Sequence, residues 1–357
     1  MSTPFRVIDT GVRDGRLQIA FDQALIELHK EGRTPDTVRF LRFEPSALVG
    51  RHQAVSHELK RDYCRANGIG VVRRITGGGA IYLDPNQVGW ELVLSRTRLP
   101  MPTLADYTRA ICEAAAHGLS NAFGVDARYR PRNDIEVEGR KLCGTGGFFD
   151  GDTLIYQGTV LVDADPVRIM SCLNVAEAKL QKRDLDKAEQ RVTTLKALLG
   201  EAPPVADVHA AVLAGFTERL GIEPVEAMPS EEEEALAAKL LAEEIGADAF
   251  VYSIDDPRGP DIFEASLTGA GGTVTAYVRT EGPARAQRVG SVLLTGDFFV
   301  TPPRIIYDLE ASLRGVPIEQ AGAAVDEFFA RTKPDLLTIA PADFKRVIED
   351  AIYETAA

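Results

Sequence analysis

Cysteine is scarce in this 357-residue chain: Cys64, Cys112, Cys143 and Cys172 are its only four, and none forms a C-x-x-C pair. That spacing excludes a disulfide framework and a zinc knuckle, and it fits a reducing compartment. Long apolar runs are also missing, and Met1 to Arg16 holds no apolar core of signal-peptide length. The expectation is a soluble, cytoplasmic protein with no membrane partner. His29, His52, His57, His117 and His209 lie scattered without metal-ligand spacing, so no protein-held metal is expected. Basic excess is lacking too. Against 53 Asp and Glu stand 40 Lys and Arg, a net charge of -13, which argues against a protein that coats nucleic acid or an anionic membrane. No internal repeat or low-complexity tract occurs.

What the chain does have is an ordinary globular composition, 45% hydrophobic and 26% charged, too apolar for disorder and long enough for two domains. The charge is unevenly placed. Residues 1–200 carry 28 basic and 25 acidic side chains, net +3, whereas residues 201–255 carry 2 and 13, and residues 256–357 carry 10 and 15. The first 200 residues are therefore free to present a cationic pocket.

Leu17, Phe21, Ala24, Leu25 and Leu28 recur on one helical face and predict a helix over 16–30. Val38 to Phe43, Val71 to Arg74 and Trp90 to Leu94 read as strands, the last placing Trp90 in the core. Tyr107, Ile111, Ala115, Leu119 and Ala122 mark a second helix ending near Gly124. Short strands follow at Ile135 to Val137, Leu142 and Thr159 to Val162, joined by turns at Glu138-Gly139 and Asp150-Gly151-Asp152. Helices are expected around Asp207 to Arg219 and Glu231 to Ile245. Ser230 caps the latter, and its acidic run Glu231 to Glu234 reads as a solvated helix start. The turn-rich Asp255 to Pro260 is the expected domain boundary, giving domains 1–255 and 256–357. The second holds strands at Phe263 to Leu267, Thr273 to Arg279 and Gln287 to Leu294, then helices around Tyr307 to Leu313, Ile318 to Phe329 and Pro341 to Tyr353. Strands and helices do not alternate strictly, which makes the class α+β.

Two clusters can carry chemistry. In Arg73-Arg74-Ile75-Thr76-Gly77-Gly78-Gly79-Ala80-Ile81-Tyr82, three glycines let backbone N–H groups approach an anion while the arginines supply charge-assisted donors. The pattern is neither a Walker A loop nor a G-x-G-x-x-G turn, and a bare triple glycine is more often a flexible turn than a ligand loop. In the second, Arg132-Asn133-Asp134-Ile135-Glu136-Val137-Glu138-Gly139-Arg140-Lys141-Leu142-Cys143-Gly144-Thr145, a hairpin projects Lys141 from a strand edge, where a lone lysine would ordinarily be a solvated charge.

Together, in this order and spacing, the clusters resemble lipoate-protein ligase, with its Arg-Arg-x-[ST]-Gly-Gly-Gly-Ala segment, Asn-Asp-[IL] strand and Gly-Arg-Lys turn. Gly50-Arg51-His52-Gln53 resembles that family's Gly-Arg-x-Gln turn, and Gln157-Gly158-Thr159-Val160-Leu161 its His-Gly-Thr-Leu-Leu strand. Lys179 to Leu198, with Arg191-Val192-Thr193-Thr194-Leu195, looks like its basic segment, and Gly271 to Phe299 extends a weaker likeness to a small C-terminal accessory domain.

The resemblance implies a biotin/lipoate protein ligase-like catalytic domain. It implies that ATP and Mg²⁺ activate lipoate or octanoate as an acyl-adenylate, and that the acyl group then passes to a lysine of a lipoyl domain or glycine-cleavage H-like carrier. Two anions meet in the first step, so cationic and N–H groups must stabilise the transition state. By resemblance Lys141 is the essential lysine. Arg74, Gly77, Gly78, Gly79, Ala80, Ile81, Tyr82, Asn133, Asp134, Gly144 and Thr145 surround the ATP or adenylate, and Arg51, His52, Gly158 and Thr159 join Lys141 around lipoate. On residue type alone, His52 reads as an ordinary surface histidine.

Leu83 and Gln157 depart from the family, which usually has histidine at both positions; this affects substrate fit or carrier choice more than reaction class. Three alternatives remain open. An ATP-independent octanoyltransferase would hold the acyl group on a cysteine, for which Cys143 is the candidate, although a free cysteine of this kind is more usually a small buried thiol. A biotin ligase would need a Gly-Arg-Gly-Arg loop, which is absent. A non-catalytic acyl-binding relative would have no need of Arg74, the glycines and Lys141 together.

Overall fold

The computed structural model describes residues 4–131, 133–174, 192–269 and 271–354. It divides into two compact units: Met1–Leu48, Lys60–Val72 and Ile81–Phe250 form the first, and Val49–Leu59, Arg73–Ala80 and Val251–Ala357 the second. The second unit thus takes in 49–59 and 73–80, which the sequence placed inside residues 1–255. Arg73 supplies a physical reason. Fully buried, its guanidinium donates to the carbonyls of Gly50, Arg51 and Gln53 and to those of Val251 and Ile254, at 2.7 to 3.1 Å. One side chain therefore ties three separate segments together.

The first unit is built on strands β1 (Phe5–Arg13), β2 (Thr37–Phe43), β3 (Ser46–Val49), β4 (Gly70–Arg73), β5 (Ile81–Leu83), β6 (Gln87–Ser95), β7 (Arg128–Arg130), β8 (Asp134–Val137), β9 (Arg140–Asp150), β10 (Thr153–Leu161) and β11 (Pro224–Glu226). Eight of them form one mixed sheet in the order β11-β1-β2-β6-β10-β9-β8-β7, and β4-β3-β5 form a small second sheet. β1 runs parallel to β2 and β11, and the remaining pairs of the large sheet are antiparallel. Sequence periodicity missed β1, because Asp9, Thr10 and Gly11 break its alternation.

The predicted helices form where their caps allow. Leu104–Phe123 starts on a Thr103–Asp106 capping box and stops at Gly124, whose φ of 66° suits a residue without Cβ. It crosses helix Val205–Leu220 backbone to backbone: a methyl group at Gly118 would lie 1.9 Å from the Ala211 carbonyl oxygen, and one at Gly215 would lie 2.1 Å from that of Ala114. Against these helices the sheet packs Trp90, fully buried, with the Phe216 ring edge-on at 5.3 Å. Each such aromatic contributes about 1.5–3 kcal/mol by leaving water.

The acidic helix start is solvated only in part: Glu231 and Glu232 are exposed, but Glu233 is buried. Glu233 is 1% exposed and receives both Arg6 Nη atoms at 3.0 and 2.6 Å, Arg13 grips Glu234 at 2.9 and 2.7 Å, and Arg33 pairs with Glu232. Helix Glu231–Glu243 is clamped by these pairs to strand β1 and to the end of helix Gly15–Lys30.

In the second unit, β12 (Phe263–Gly269), β13 (Gly272–Glu281) and β14 (Arg288–Gly296) form an antiparallel sheet, and β15 (Val300–Thr301) pairs with β16 (Leu336–Leu337). Helices Arg304–Leu313, Ala321–Arg331 and Pro341–Glu354 close a core that includes Val274, Phe298, Leu309, Phe344 and Ile348. The helix predicted from Ile318 begins as a single 3₁₀ turn. The architecture is α+β, and among the described residues no helix is long and apolar enough to cross a membrane.

Candidate active site

Strands β8 and β9 form a hairpin whose two-residue loop is Glu138-Gly139, both at positive φ (53° and 77°), as a tight turn of this hand requires. One residue into β9 the register slips: Glu136 faces Lys141 but Ile135 faces Cys143, leaving Leu142 as a bulge. Leu142 and Cys143 consequently both turn into the core, and Lys141 shares the opposite face with Gly144. A methyl group at Gly144 would stand 2.6 Å from Lys141 Cε and Nζ, so the bare glycine is what lets the lysine lie along the strand. Its Nζ pairs with Asp134 Oδ1 at 2.8 Å, and Arg130 holds the other oxygen at 2.5 Å.

Asn133 and Thr145 lock the adjoining strands: the Thr145 N–H and hydroxyl both donate to the Asn133 carbonyl, and the Asn133 amide donates to the Thr145 carbonyl. Thr159 of β10 stands opposite Gly144, and Gln157 opposite Gly146. With glycine on one strand facing partly exposed side chains on the other, a shallow trough runs from Lys141 past Thr159 to Gln157. Gly158 is not part of it. It faces the core, where a Cβ would fall 2.1 Å from the Trp90 ring, so packing explains this glycine rather than the lipoate contact expected of it.

At the end of the trough lies a polar cluster. Arg39, fully buried, donates to Asp22 at 2.6 Å, Glu91 at 2.8 Å, Thr10 at 3.0 Å and Gln18. Gln157 Nε2 donates to Asp22 Oδ2 and to Glu91 Oε2, both at 2.7 Å. Two carboxylates around one cation leave excess negative charge; burial, and then the charge of Glu91, push the Asp22 carboxyl up to about 8. Sequence reasoning passed over Asp22, Arg39 and Glu91. Their signal was present, however, as charged residues within apolar surroundings: Asp22 on the apolar helix face, Arg39 in β2 and Glu91 in β6.

Beyond the other end of the trough is a cavity of about 490 Å³, lined by residues including Arg140, Leu161, Ile169, Val192, Thr193 and Lys196. Thr193 is joined to the lysine's own strand, its N–H donating to the Lys141 carbonyl at 2.9 Å. It is 3% exposed, and its hydroxyl has no hydrogen-bond partner among the described residues. Arg132 and the basic stretch Lys179 to Arg191 lie outside the described residues. All four cysteines are buried, and burial pushes the Cys143 thiol well up.

The glycine-rich segment belongs to the second unit, together with Arg74, Ala80, Arg51 and His52, whereas Ile81 and Tyr82 belong to β5 of the first. Arg74 donates to the carbonyls of Gly77 (3.1 Å) and Gly79 (2.9 Å) and so folds the loop on itself. A Cβ at Gly77 would fall 2.3 Å from the Phe298 carbonyl oxygen, and Gly78 adopts φ 94°. Gly79 is exposed. His52 is no surface residue: 1% exposed, it stacks on Phe298 at 5.2 Å, and among the described residues neither ring nitrogen has a hydrogen-bond partner. Burial, aided by Arg51 and Arg73, pushes its pKa down to about 3, so it is neutral.

Residues 14–217, more than half of the chain, match the lipoyl protein ligase A/B catalytic domain. The octanoyltransferase LipM of Kyrpidia tusciae is 29% identical over 67% of the chain and 97% of its own length. A chain from the structure of a bi-partite lipoate protein ligase and its E2 lipoyl domain, from Thermoplasma acidophilum, superposes with a TM-score of 0.64 at 25% identity, covering 71% of this chain and 97% of that one. Plasmodium falciparum LipL1, solved in complex with lipoate, gives a TM-score of 0.75 over 99% of this chain and 100% of that one; at 15% identity that likeness concerns the fold alone. With the matched domain spanning the Lys141 hairpin and its trough, the chain belongs to the lipoyl protein ligase A/B catalytic domain family.

Proposed function

We propose that the chain activates octanoate or lipoate with ATP as an acyl-adenylate and passes the acyl group to a lysine of a lipoyl carrier, such as a lipoyl domain or a glycine-cleavage H-like protein. The observation that carries this is Lys141, laid over Gly144 at the head of a trough and held by Asp134. A compact ammonium with three donors suits a group that must stabilise charge on both an acyl carbonyl oxygen and a phosphate. The exposed Gly79 offers backbone to a polyphosphate, the role assigned by resemblance to Arg74 and Gly77–Gly79. Among the described residues no group of three or more His, Cys, Asp or Glu side chains could hold a metal; Mg²⁺ would accompany the phosphates, as this ion commonly does.

A cysteine-dependent octanoyltransferase is the second reading, and on names it has the better support, since the Kyrpidia tusciae relative carries that name. The chemistry of this chain weighs against it. A thioester needs an accessible thiolate, and Cys143 is fully buried with its thiol pushed up, while the other three cysteines are buried as well. Purified protein should therefore modify a lipoyl domain from free octanoate only when ATP and Mg²⁺ are present, and Lys141→Ala should abolish this without altering the fold. Modification from octanoyl-acyl carrier protein without ATP, lost in Cys143→Ser, would establish the transferase instead.

A further inference from the structure

We propose that Cys64 and Cys172 form a redox switch: a hydroperoxide joins them in a reversible disulfide that shifts helix Pro166–Cys172 and slows the site beside it. The effect on turnover rests on the acyl-transfer reading above. Cys64 lies in helix Arg61–Ala66 and Cys172 ends helix Pro166–Cys172, and in both of these short helices the cysteine is the buried residue. The two thiols are hydrogen-bonded to each other. Backbone contacts already tie the helices together around them. The Lys60 N–H donates to the Cys172 carbonyl at 2.8 Å, Lys60 Nζ to the Met170 carbonyl at 3.2 Å, and the Cys64 N–H to the Lys60 carbonyl at 3.0 Å. The fold thus pairs two thiols far apart in sequence. It also keeps them close to water, for Lys60, Tyr63, Arg168 and Ser171 are partly exposed. Cys112 and Cys143 differ in belonging to the main apolar core, where Cys112 meets the hydroxyls of Thr145 and Tyr156 rather than a thiol.

The pair is chemically unequal. The hydrogen bond pulls the Cys64 thiol below its usual range and pushes that of Cys172 well up, while the cations Arg168 and Lys60 beside Cys172 favour negative charge there. Cys64 is therefore the sulfur that attacks and Cys172 the one that resolves. In the first step the Cys64 thiolate attacks a peroxide oxygen: an S–O bond forms, the O–O bond breaks, and the departing hydroxide leaves as water with the thiol's proton. In the second, the Cys172 sulfur attacks the Cys64 sulfenic acid: the S–S bond forms, the S–O bond breaks, and a second water carries off the Cys172 proton. The peroxide is reduced and two thiols are oxidised; a dithiol reverses the bond by exchange. Closure brings the sulfurs to about 2 Å, well inside hydrogen-bond contact, and so draws the helices together. Helix Pro166–Cys172 does not move alone. Its Pro166 and Ile169 line the 490 Å³ cavity, and its Arg168 stands over the Tyr82 ring at 5.9 Å, Tyr82 being a residue that the resemblance places around the adenylate.

Peptide mapping of the full chain tests this. Protein treated with hydrogen peroxide, blocked with N-ethylmaleimide and digested without reductant should yield one linked pair of peptides, carrying Cys64 and Cys172, and dithiothreitol should release it. ATP-dependent modification of a lipoyl domain should fall about tenfold in the oxidised protein, less than the roughly 10²-fold that a 1 Å displacement at reacting atoms can cost, and should return with dithiothreitol. Cys64→Ser and Cys172→Ser should each match the reduced wild type and lose the response to peroxide; either variant suffices if the other fails to fold. Linked peptides that carry Cys112 or Cys143 instead, cysteines oxidised to sulfinic acid without linking, or a Cys64–Cys172 bond that leaves the rate unchanged overturn the switch. If the reduced protein modifies no carrier, the acyl-transfer reading falls and control of turnover with it, while the linked peptides still decide whether the two thiols close.

Discussion

Asp22→Asn separates the charge of the buried cluster from its shape. Asp22 is 1% exposed, between Arg39 Nη1 at 2.6 Å and Gln157 Nε2 at 2.7 Å, and its pKa moves from 3.8 to about 8 on folding. Between roughly pH 4 and pH 8 the folded chain therefore holds a proton that the unfolded chain has released. Linkage fixes the sign: this group's contribution is fully present below the unfolded pKa and is lost as pH rises toward the folded one. Each pH unit inside the window costs on the order of 1 kcal/mol, so roughly 2–3 kcal/mol disappears between pH 5 and pH 7. Asparagine imitates the protonated acid and cannot ionise. The measurement is chemical unfolding of both proteins at pH 5, 6 and 7, taking the difference between them so that titrating groups distant from Asp22 cancel. Wild type should lose about 2–3 kcal/mol relative to the variant across that range. Parallel stability profiles, or a wild type that gains on the variant with rising pH, would refute an Asp22 kept protonated by burial.

Gly144→Ala should leave the fold intact, because the methyl meets only the flexible end of Lys141, yet displacing that ammonium by about 1 Å should cut carrier modification by about 10²-fold in a gel-shift or mass assay. Gly158→Ala should do the opposite, lowering the unfolding midpoint through a clash with the rigid Trp90 indole worth about 1–3 kcal/mol or more, as thermal scanning would show. Cys143→Ser should retain ATP-dependent modification while costing about 1–3 kcal/mol for a hydroxyl buried in an apolar site; lost activity in a folded variant would return the thiol to the mechanism.

The helix over Gly15–Lys30, the Gly124 stop and the Glu138-Gly139 turn were legible because each depends on neighbours a few residues away: face periodicity, a cap, a pair of positive φ angles. The Lys141 cluster was legible for the same reason, lying on one hairpin. What the sequence concealed depends on long-range pairing. Nothing local announces that Gln157 will stand beside Glu91 and reach Asp22, or that Arg73 will collect carbonyls from residues 50 to 53 and 251 to 254. The sequence did not show what each glycine packs against: Gly158 meets the Trp90 ring, and Gly144 leaves room for the end of Lys141.

Charge shows the same limit of one-dimensional counting. A net +3 over residues 1–200 suggested cations to spare for an anionic substrate. Yet Arg6, Arg13 and Arg33 are neutralised by Glu233, Glu234 and Glu232, which belong to the acidic stretch beyond residue 200, and Arg39 is enclosed by Asp22 and Glu91. Even Lys141 shares Asp134 with Arg130. On the reading proposed above, Lys141 would meet an anion by exchanging partners, the incoming carbonyl or phosphate oxygen displacing Asp134. Such a contact is strong only where the displaced Asp134 keeps another cation, and Arg130 at 2.5 Å provides it. The arrangement lets Lys141 change partners without stranding a carboxylate, which is what the two-step transfer proposed above would require of it.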